Sequence, residues 1–209
     1  IDEDPRQDSD RFDPDEIRMN ARLMMGKHGH NRLIQHLGNC ALGYGCPAAK
    51  NYFLGRWEAP LPTSPACNAR CLGCISLQEG GEICATQERI RFVPTPEEIA
   101  EVATPHLRTA PRAVVSFGQG CEGEPLLQAG RIAEAIRLMR RGTGRGTINM
   151  NTNASLPDAV GHLRQSGLDS IRVSLNSCRS RYYHGYYKPV GYSLETVKAS
   201  IRVMKSLGG

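Results

Sequence analysis

Three cysteines lie within eight residues of one another, Cys67, Cys71 and Cys74, in the spacing C-x3-C-x2-C. Thiolates are the usual ligands of iron–sulfur clusters, and a cubane cluster of four irons normally takes four of them. Three cysteines can therefore hold three irons and leave the fourth iron open. An open coordination position is what separates a catalytic metal site from a closed structural one.

Two other interpretations of these cysteines are open. Zinc could use them if Cys46 or Cys84 supplied a fourth ligand, although structural zinc sites usually combine two C-x2-4-C pairs. Inert buried thiols are the second alternative, but Asn68, Arg70 and Gly73 are unusual in a core segment. The spacing favours an iron–sulfur cluster over both.

The composition limits the class of protein. The 209 residues, 40% hydrophobic and 22% charged, are typical of a globular protein with its own core. The sequence has no membrane-span-length apolar run and no secretory signal, so we expect a cytoplasmic protein. Eight cysteines in that context favour metal or redox chemistry over a disulfide framework. The net charge of +5 permits an anionic ligand without requiring nucleic acid.

Residues 1–55 are predicted to form an N-terminal extension. The first 13 residues are mostly Asp, Arg, Pro and Ser, which indicates a solvated tail. A helix is predicted from Asp13, a capping residue followed by proline, to about Met25. Residues 31–52 contain several glycines that indicate a loop or turn.

Cys40 and Cys46 lie in this predicted loop. With Cys84 they could form a second cluster or a zinc site. No further ligand lies at tight spacing, so ordinary buried thiols are the favoured interpretation. The histidines of this region are interpreted as surface or capping residues rather than ligands: His28, His30 and His36.

Residues 56–209 are predicted to alternate strands and helices. Strands are expected at 56–64, 113–117, 147–151 and 171–175. Helices are expected at 95–103, 126–141, 155–166 and 193–207. The first strand should be short or at a sheet edge because of its prolines, and residues 78–92 indicate a hairpin or an inserted loop. This alternation predicts parallel pairing with right-handed crossovers.

Ligands of parallel α/β folds bind at the carboxyl ends of the strands. In this chain the segment 67–74, which carries the three cysteines and is called the cysteine loop below, follows the first strand. A glycine-rich segment containing Glu124 follows the second strand. Glycines let backbone groups approach a ligand closely, and a carboxylate can bind an ammonium group. Short polar residues follow the third and fourth strands. The four strand ends therefore predict one ligand site.

The cysteine spacing resembles the motif of the radical S-adenosylmethionine (SAM) enzymes, and the resemblance covers residues 57–209. In that family the open iron chelates the amino and carboxylate groups of SAM. An electron from the cluster then cleaves SAM and releases a 5′-deoxyadenosyl radical. Gly123, Glu124 and Pro125 match the family's Gly-Gly-Glu-Pro motif, which binds the SAM amino group, with Glu122 at the first glycine. The residue before the third cysteine, usually aromatic in the family, is glycine here.

Two further strand ends resemble members of the same family. Thr152 and Asn153 resemble a Thr-Asn-Gly that ends the third strand, with Ala154 at the glycine. Ser174 and Asn176 belong to a segment that resembles Val-Ser-Leu-Asp at the fourth. The resemblance implies a 4Fe–4S cluster on Cys67, Cys71 and Cys74. It also implies a SAM site made by Gly123, Glu124, Pro125, Thr152, Asn153, Ser174 and Asn176.

The resemblance also implies a fold and an activity. The fold is α/β, a partial (β/α) barrel of the radical SAM type, incomplete after the fourth core strand–helix unit because the family core usually has six strands. The activity is hydrogen-atom abstraction from a substrate, with a reductant such as flavodoxin or ferredoxin. A peptide or protein is the favoured substrate, no membrane partner is expected, and nucleic acid is disfavoured. The alternatives are an enzyme acting on RNA or a small metabolite, and a non-catalytic iron–sulfur or zinc protein.

The segment 178–189 combines Arg, Lys and Tyr residues just beyond the fourth strand. It is interpreted either as a ligand-binding loop, through stacking and charge, or as a tyrosine-rich packing loop. Cys121 and Cys178 are expected near the site, as hydrogen-atom donors or as bystanders.

Overall fold

A computed structural model describes residues 8–78 and 84–209. Within these ranges four parallel strands form one sheet in the order β1-β2-β3-β4. The strands are Glu58–Pro60, Val114–Phe117, Thr147–Thr152 and Ser170–Val173. The parallel α/β architecture predicted from the alternation is confirmed. Strand β1 is short and lies at the sheet edge, as its prolines predict.

Eight helices, α1 to α8, accompany the sheet in the described ranges. They are Pro14–Lys27, Arg32–Leu42, Pro47–Phe53, Pro96–Thr109, Ala129–Gly142, Pro157–Ser166, Ser180–Tyr187 and Leu194–Ser206. The predicted starts of α1 and α4 are confirmed. Asp13 accepts hydrogen bonds from two backbone amides of the first turn of α1, and Thr95 with Glu98 forms a capping box at α4.

One continuous core contains residues of the sheet, of the helices that precede it in sequence and of the helices between and after its strands. Val115, Ile148 and Met150 of the central strands are fully buried. Helices α4, α5, α6 and α8 pack side by side in that order. The N-terminal helices extend the same core, because α3 packs against β1 and α2 packs against α4. The cysteine loop therefore leaves an edge strand whose far side is covered by α3.

The prediction of a loop over residues 31–52 is wrong. Asn31 caps α2 by accepting hydrogen bonds from the amides of Leu33 and Ile34. Leu33 and Leu37 are fully buried on the same helical face. This periodic apolar face outweighs the glycines: Gly38 lies buried within α2, and Gly43 and Gly45 lie in the turn between α2 and α3.

Two other segments also differ from the prediction. Helix α4 continues past Ala103 to Thr109 although it contains Pro105, because Val102 and Leu107 are buried on both sides of the proline. The tyrosine-rich segment, predicted as a loop, contains helix α7. Tyr183 and Tyr187 of that helix form a second apolar cluster with residues of α8.

Some predictions fall partly outside the described residues. Residues 1–7 of the expected tail and residues 79–83 of the expected hairpin are among these. The described part of the tail includes a short 3-10 helix, Ser9–Arg11, and residues 84–92 contain no strand. No helix in the described ranges is long and apolar enough to cross a membrane.

Candidate cofactor-binding site

The cysteine loop follows β1 and is held by the end of helix α7. The amides of Arg70 and Leu72 donate to the carbonyls of Tyr187 and Tyr186, each at 3.0 Å. The amide of Val190 donates to the carbonyl of Asn68 at 2.9 Å. Backbone bonds from a segment more than 100 residues away in sequence therefore fix the loop.

Gly73 replaces the aromatic residue that usually precedes the third cysteine of the motif. A Cβ atom at Gly73 would lie 2.5 Å from the hydroxyl oxygen of Tyr186. The space beside the loop is thus occupied by an aromatic side chain from α7 instead of one from the loop itself. Any side chain at Gly73 would have to displace this tyrosine.

Cys67, Cys71 and Cys74 are all half-buried and free of disulfides. In the described ranges two groups of three His, Cys, Asp or Glu residues have ligand atoms that all lie within 4.8 Å of one another. The cysteine trio is not one of these groups. A tetrahedral zinc ion with Zn–S bonds of about 2.3 Å would hold its sulfurs about 3.8 Å apart. Binding one zinc ion would therefore require the three sulfurs to move closer together, whereas in a cubane cluster each thiolate binds a different iron.

The three thiols differ in electrostatic environment. Burial raises the pKa of Cys71 to about 11. Burial also opposes ionisation of Cys74, but hydrogen bonds from Ser76 and the charge of Arg89 outweigh it and lower the Cys74 pKa. The guanidinium of Arg89 lies 3.5 Å from the Cys74 sulfur. Arg89 thus favours the thiolate form that a metal requires.

The segment after β2 runs directly along the start of the cysteine loop. The amide of Gly123 donates to the carbonyl of Ser64 at 2.6 Å, and the amide of Glu124 donates to that of Ala66 at 2.8 Å. A Cβ atom at Gly123 would lie only 2.0 Å from the Ala66 carbonyl oxygen. Only glycine permits this approach, which explains why the position is glycine.

Glu124, Thr152 and Asn153 are brought together, as the sequence predicts. The Glu124 carboxylate accepts hydrogen bonds from the Thr152 hydroxyl, from the Asn153 amide at 2.8 Å and from the Leu126 amide at 3.0 Å. Glu124 is only 3% exposed. Burial raises its pKa to about 7, although the three hydrogen bonds act in the opposite direction. The side chain of Asn153 donates to that of Asn68, at 2.7 Å, which links the group to the cysteine loop.

Glu122 has a role that the sequence motif did not reveal. One carboxylate oxygen accepts from the amides of Gly118 and Gln119, at 2.6 and 2.8 Å. The other accepts from the amides of Thr63 and Ser64, at 2.8 and 2.9 Å, and from the Thr63 hydroxyl. Burial raises the Glu122 pKa, and the backbone donors oppose this effect. Glu122 thus fastens the β1 loop to the β2 loop, and its only signal in sequence is an acid where the motif has glycine.

A cavity of about 490 Å³ lies between the cysteine loop and the ends of β2 to β4. Cys71 and Cys74 line it, together with polar side chains from the strand ends, Gln119, Asn151 and Ser174. This volume falls within the usual range of small-molecule sites, about 300–1,000 Å³.

The other predicted site residues lie outside this lining. Glu124, Thr152, Asn153 and Pro125 are buried, and Asn176 is exposed. Ala154, at the motif's glycine, has a φ of 54°, which is a left-handed conformation.

The two further cysteines expected near the site do not line the cavity. Cys121 is buried with its sulfur within 4.8 Å of the Cys40 sulfur, and Cys178 is exposed. A smaller cavity of about 290 Å³ lies along the cysteine loop. It is lined by Cys71 and Cys74 with the basic side chains Arg70, Arg89 and Lys188.

Comparison with known proteins bears on this site. A family model described as the Radical SAM superfamily matches residues 61–209. The structure of methylornithine synthase (PylB) gives a TM-score of 0.53 at 19% identity, covering 98% of this chain and 55% of that one. The structure of HydG, a maturase of the FeFe-hydrogenase, gives a TM-score of 0.50 at 13% identity, and the match covers 98% of this chain and 49% of HydG. No curated protein sequence matches the chain significantly.

The family match confirms the resemblance predicted from the four strand ends. The parallel four-strand sheet agrees with the predicted partial barrel. The chain spans about half the length of the two solved structures that it resembles.

Proposed function

Because the chain belongs to the radical SAM superfamily, we propose that Cys67, Cys71 and Cys74 hold a 4Fe–4S cluster and that SAM binds beside it. The observation that carries this proposal is the arrangement of the three thiols. They are half-buried, their sulfurs are not gathered within 4.8 Å of one another as the ligands of one zinc ion would be, and two of them line a cavity of ligand size. The chemistry that the two cofactors supply when bound is reductive cleavage of SAM and hydrogen-atom abstraction from a substrate.

The chain's own residues position the cofactors and exclude water. The ends of α7 and the Gly123–Glu124 segment hold the cysteine loop from two sides. Arg89 stabilises the negative charge of the Cys74 thiolate. Ser174, Asn151 and Gln119 offer hydrogen bonds to a ligand in the larger cavity.

Glu124 remains our predicted partner of the SAM amino group. Its carboxylate already accepts three hydrogen bonds from Leu126, Thr152 and Asn153, and the side chain is buried and does not line the larger cavity. Binding an ammonium group there requires the side chain to become accessible from the cavity. A charge-assisted bond to the ammonium would then favour the ionised form of a carboxylate that burial otherwise disfavours.

The electron donor is proposed to dock beside the smaller cavity. Arg70, Arg89 and Lys188 surround Cys71 and Cys74 there and form a positive surface next to the proposed cluster. An acidic carrier such as flavodoxin or ferredoxin complements this charge. Such docking would be weakened by salt.

A peptide or protein remains the proposed substrate class. The runner-up classes are RNA and small metabolites. Tyr183 is fully buried between α7 and α8 and is not available to stack on a base, whereas Tyr182 is exposed and Tyr186 and Tyr187 line the larger cavity.

Electron paramagnetic resonance of anaerobically reconstituted, dithionite-reduced protein tests the proposal. We expect a 4Fe–4S signal that changes shape when SAM is added, and the loss of this signal in Cys74→Ala. Cys178→Ala, which removes an exposed cysteine, is the matched control. Stoichiometric zinc on the trio, or an iron signal indifferent to SAM, would instead support the non-catalytic alternative.

To test the individual contacts, SAM affinity is measured for Ser174→Ala and Glu124→Gln. Loss of affinity in Ser174→Ala alone would place SAM in the larger cavity without a contact to Glu124.

A further inference from the structure

A second group of possible metal ligands lies apart from the cysteine loop. The ligand atoms of His36, Cys40 and Cys121 all lie within 4.8 Å of one another. His36 and Cys40 are four residues apart on helix α2, which places them on the same helical face. The His36 Nε2 atom lies 3.5 Å from the Cys40 sulfur. Cys121 comes from the loop after β2, which also carries Glu122 and Glu124.

The surroundings of this group favour a closed site. Cys40 and Cys121 are buried and His36 is half-buried. The His36 ring packs edge-on against Phe92, with the ring centroids 6.3 Å apart. Cys46 begins helix α3, and its amide donates to the carbonyl of Cys40 at 3.0 Å. Cys46 is half-buried and forms no disulfide; its sulfur lies outside the group of ligand atoms within 4.8 Å of one another and would have to rotate toward it to serve as the fourth ligand.

The donor set and its spacing match zinc. Zinc takes cysteine sulfur at about 2.3 Å and histidine nitrogen at about 2.0–2.1 Å, in tetrahedral geometry. Ligand atoms of such a site lie about 3.5–3.8 Å apart. The histidine–cysteine pair already has this spacing. The ligand atoms of His36, Cys40 and Cys121 lie at most 4.8 Å apart, so a contraction of at most about 1.3 Å, which side-chain rotation can supply, brings them to this spacing.

We propose that His36, Cys40, Cys46 and Cys121 bind one Zn²⁺ ion in a structural site. The ion would join α2 and the start of α3 to the loop after β2. Its effect would be to fasten the N-terminal helices to the segment that also carries the Glu122 and Glu124 contacts. This site is independent of the cluster proposed on the cysteine loop.

The test begins with a protein in which Cys67, Cys71 and Cys74 are all changed to serine. This variant removes the proposed cluster ligands, so zinc binding and cluster assembly are separated. The protein is reduced anaerobically and dialysed, and its zinc is measured by mass spectrometry. We expect one zinc per chain. Replacement by Co²⁺ should give the visible bands of a tetrahedral ion with thiolate-to-cobalt charge transfer in the near ultraviolet.

Ligand variants are compared by chelator competition in the same background. Loss of any ligand should lower zinc affinity by more than about a hundredfold, in Cys40→Ser, Cys46→Ser, Cys121→Ser and His36→Ala alike. The expected loss is larger than the loss of about 10- to 100-fold that follows when a residue that merely orients a ligand is removed. Cys178→Ser, at an exposed cysteine, should leave the affinity unchanged. His36→Ala changes a half-buried side chain and should fold even if a core cysteine variant does not.

Three results would overturn the proposal. One is substoichiometric zinc in the background protein, and another is a cobalt spectrum without thiolate charge transfer. The third is an affinity that does not fall in Cys40→Ser, Cys46→Ser, Cys121→Ser or His36→Ala.

Discussion

Replacing Glu122 by glycine would restore the family's Gly-Gly-Glu-Pro motif and should nevertheless destabilise this protein. The Glu122 carboxylate accepts hydrogen bonds from four backbone amides and one hydroxyl, all in the loops after β1 and β2. The side chain is only 4% exposed. In Glu122→Gly, donors that are largely shielded from solvent lose their common acceptor.

The magnitude follows from these contacts. A hydrogen bond to a charged group contributes about 1.5–3 kcal/mol, so five of them sum to about 7.5–15 kcal/mol as an upper limit. Removing a buried charge recovers its desolvation cost, and water from the adjoining cavity can reach some of the donors. We therefore expect a loss of about 3–5 kcal/mol in the free energy of unfolding, which corresponds to two or three buried donors left without an acceptor at about 1–3 kcal/mol each.

Urea unfolding of the cluster-free protein measures this loss. With a slope of about 2 kcal/mol per molar urea, the midpoint should fall by about 1.5–2.5 M. Glu88→Gly is the matched control, because Glu88 is an exposed loop residue whose ion pair is with the exposed Arg91. It shares the backbone entropy cost of glycine, about 0.5–1 kcal/mol. Equal midpoints for the two variants would refute the role assigned to Glu122.

Three further changes have defined outcomes. Gly123→Ala should cost several kcal/mol and prevent iron loading, because the new Cβ would lie 2.0 Å from the Ala66 carbonyl oxygen; iron content and urea unfolding measure this. Glu98→Gln should lose about 1–2 kcal/mol at pH 7. A hydrogen bond from Arg32 lowers the Glu98 pKa from 4.5 to about 2, so its stabilisation is complete above pH 4.5 and disappears as the pH falls through 2; unfolding curves of both proteins should therefore converge in acid. Ala154→Gly should change stability by less than about 1 kcal/mol, because relief of the left-handed φ offsets the lost methyl burial, whereas Ala154→Val should cost more than about 2 kcal/mol in the same assay.

The strand–helix core could be predicted from sequence because each element carries its own signal. Val114 to Phe117 is a short apolar run that fits a buried strand. Thr95 and Glu98 form the capping box that the order of residue types predicts. Such signals are local, so they survive without knowledge of the fold.

The sequence does not predict helices α2 and α3 because two local signals conflict there. Glycines around Cys46 indicate a turn, whereas Leu33 and Leu37 follow a helical period that is buried against the core. Burial decided the outcome for α2, and the turn is confined to the residues between α2 and α3. Propensity alone cannot weigh these signals, because the buried area depends on a partner helix that the sequence does not identify.

The placement of site residues separates into two classes for a physical reason. Residues at strand ends converge because parallel strands end at one edge, so the grouping of Glu124 with Thr152 and Asn153 follows from topology. Which of them faces a cavity and which is buried depends on side-chain packing. Ser174 lines the cavity, whereas Glu124 does not, and the sequence motif could not distinguish them.

The contacts that fix the cysteine loop are mainly backbone hydrogen bonds from distant segments. On one side, the Tyr186 and Tyr187 carbonyls accept hydrogen bonds from backbone amides of the loop. On the other, the Gly123 amide donates a hydrogen bond to the carbonyl of Ser64, just before the loop. Backbone bonds leave almost no trace in residue type, except where they require glycine. Gly73 and Gly123 are therefore the positions at which the sequence records the packing, since a side chain at either would collide with the segment that holds the loop. The spacing of the cysteines predicts what the loop binds, and these two glycines indicate how the loop is held.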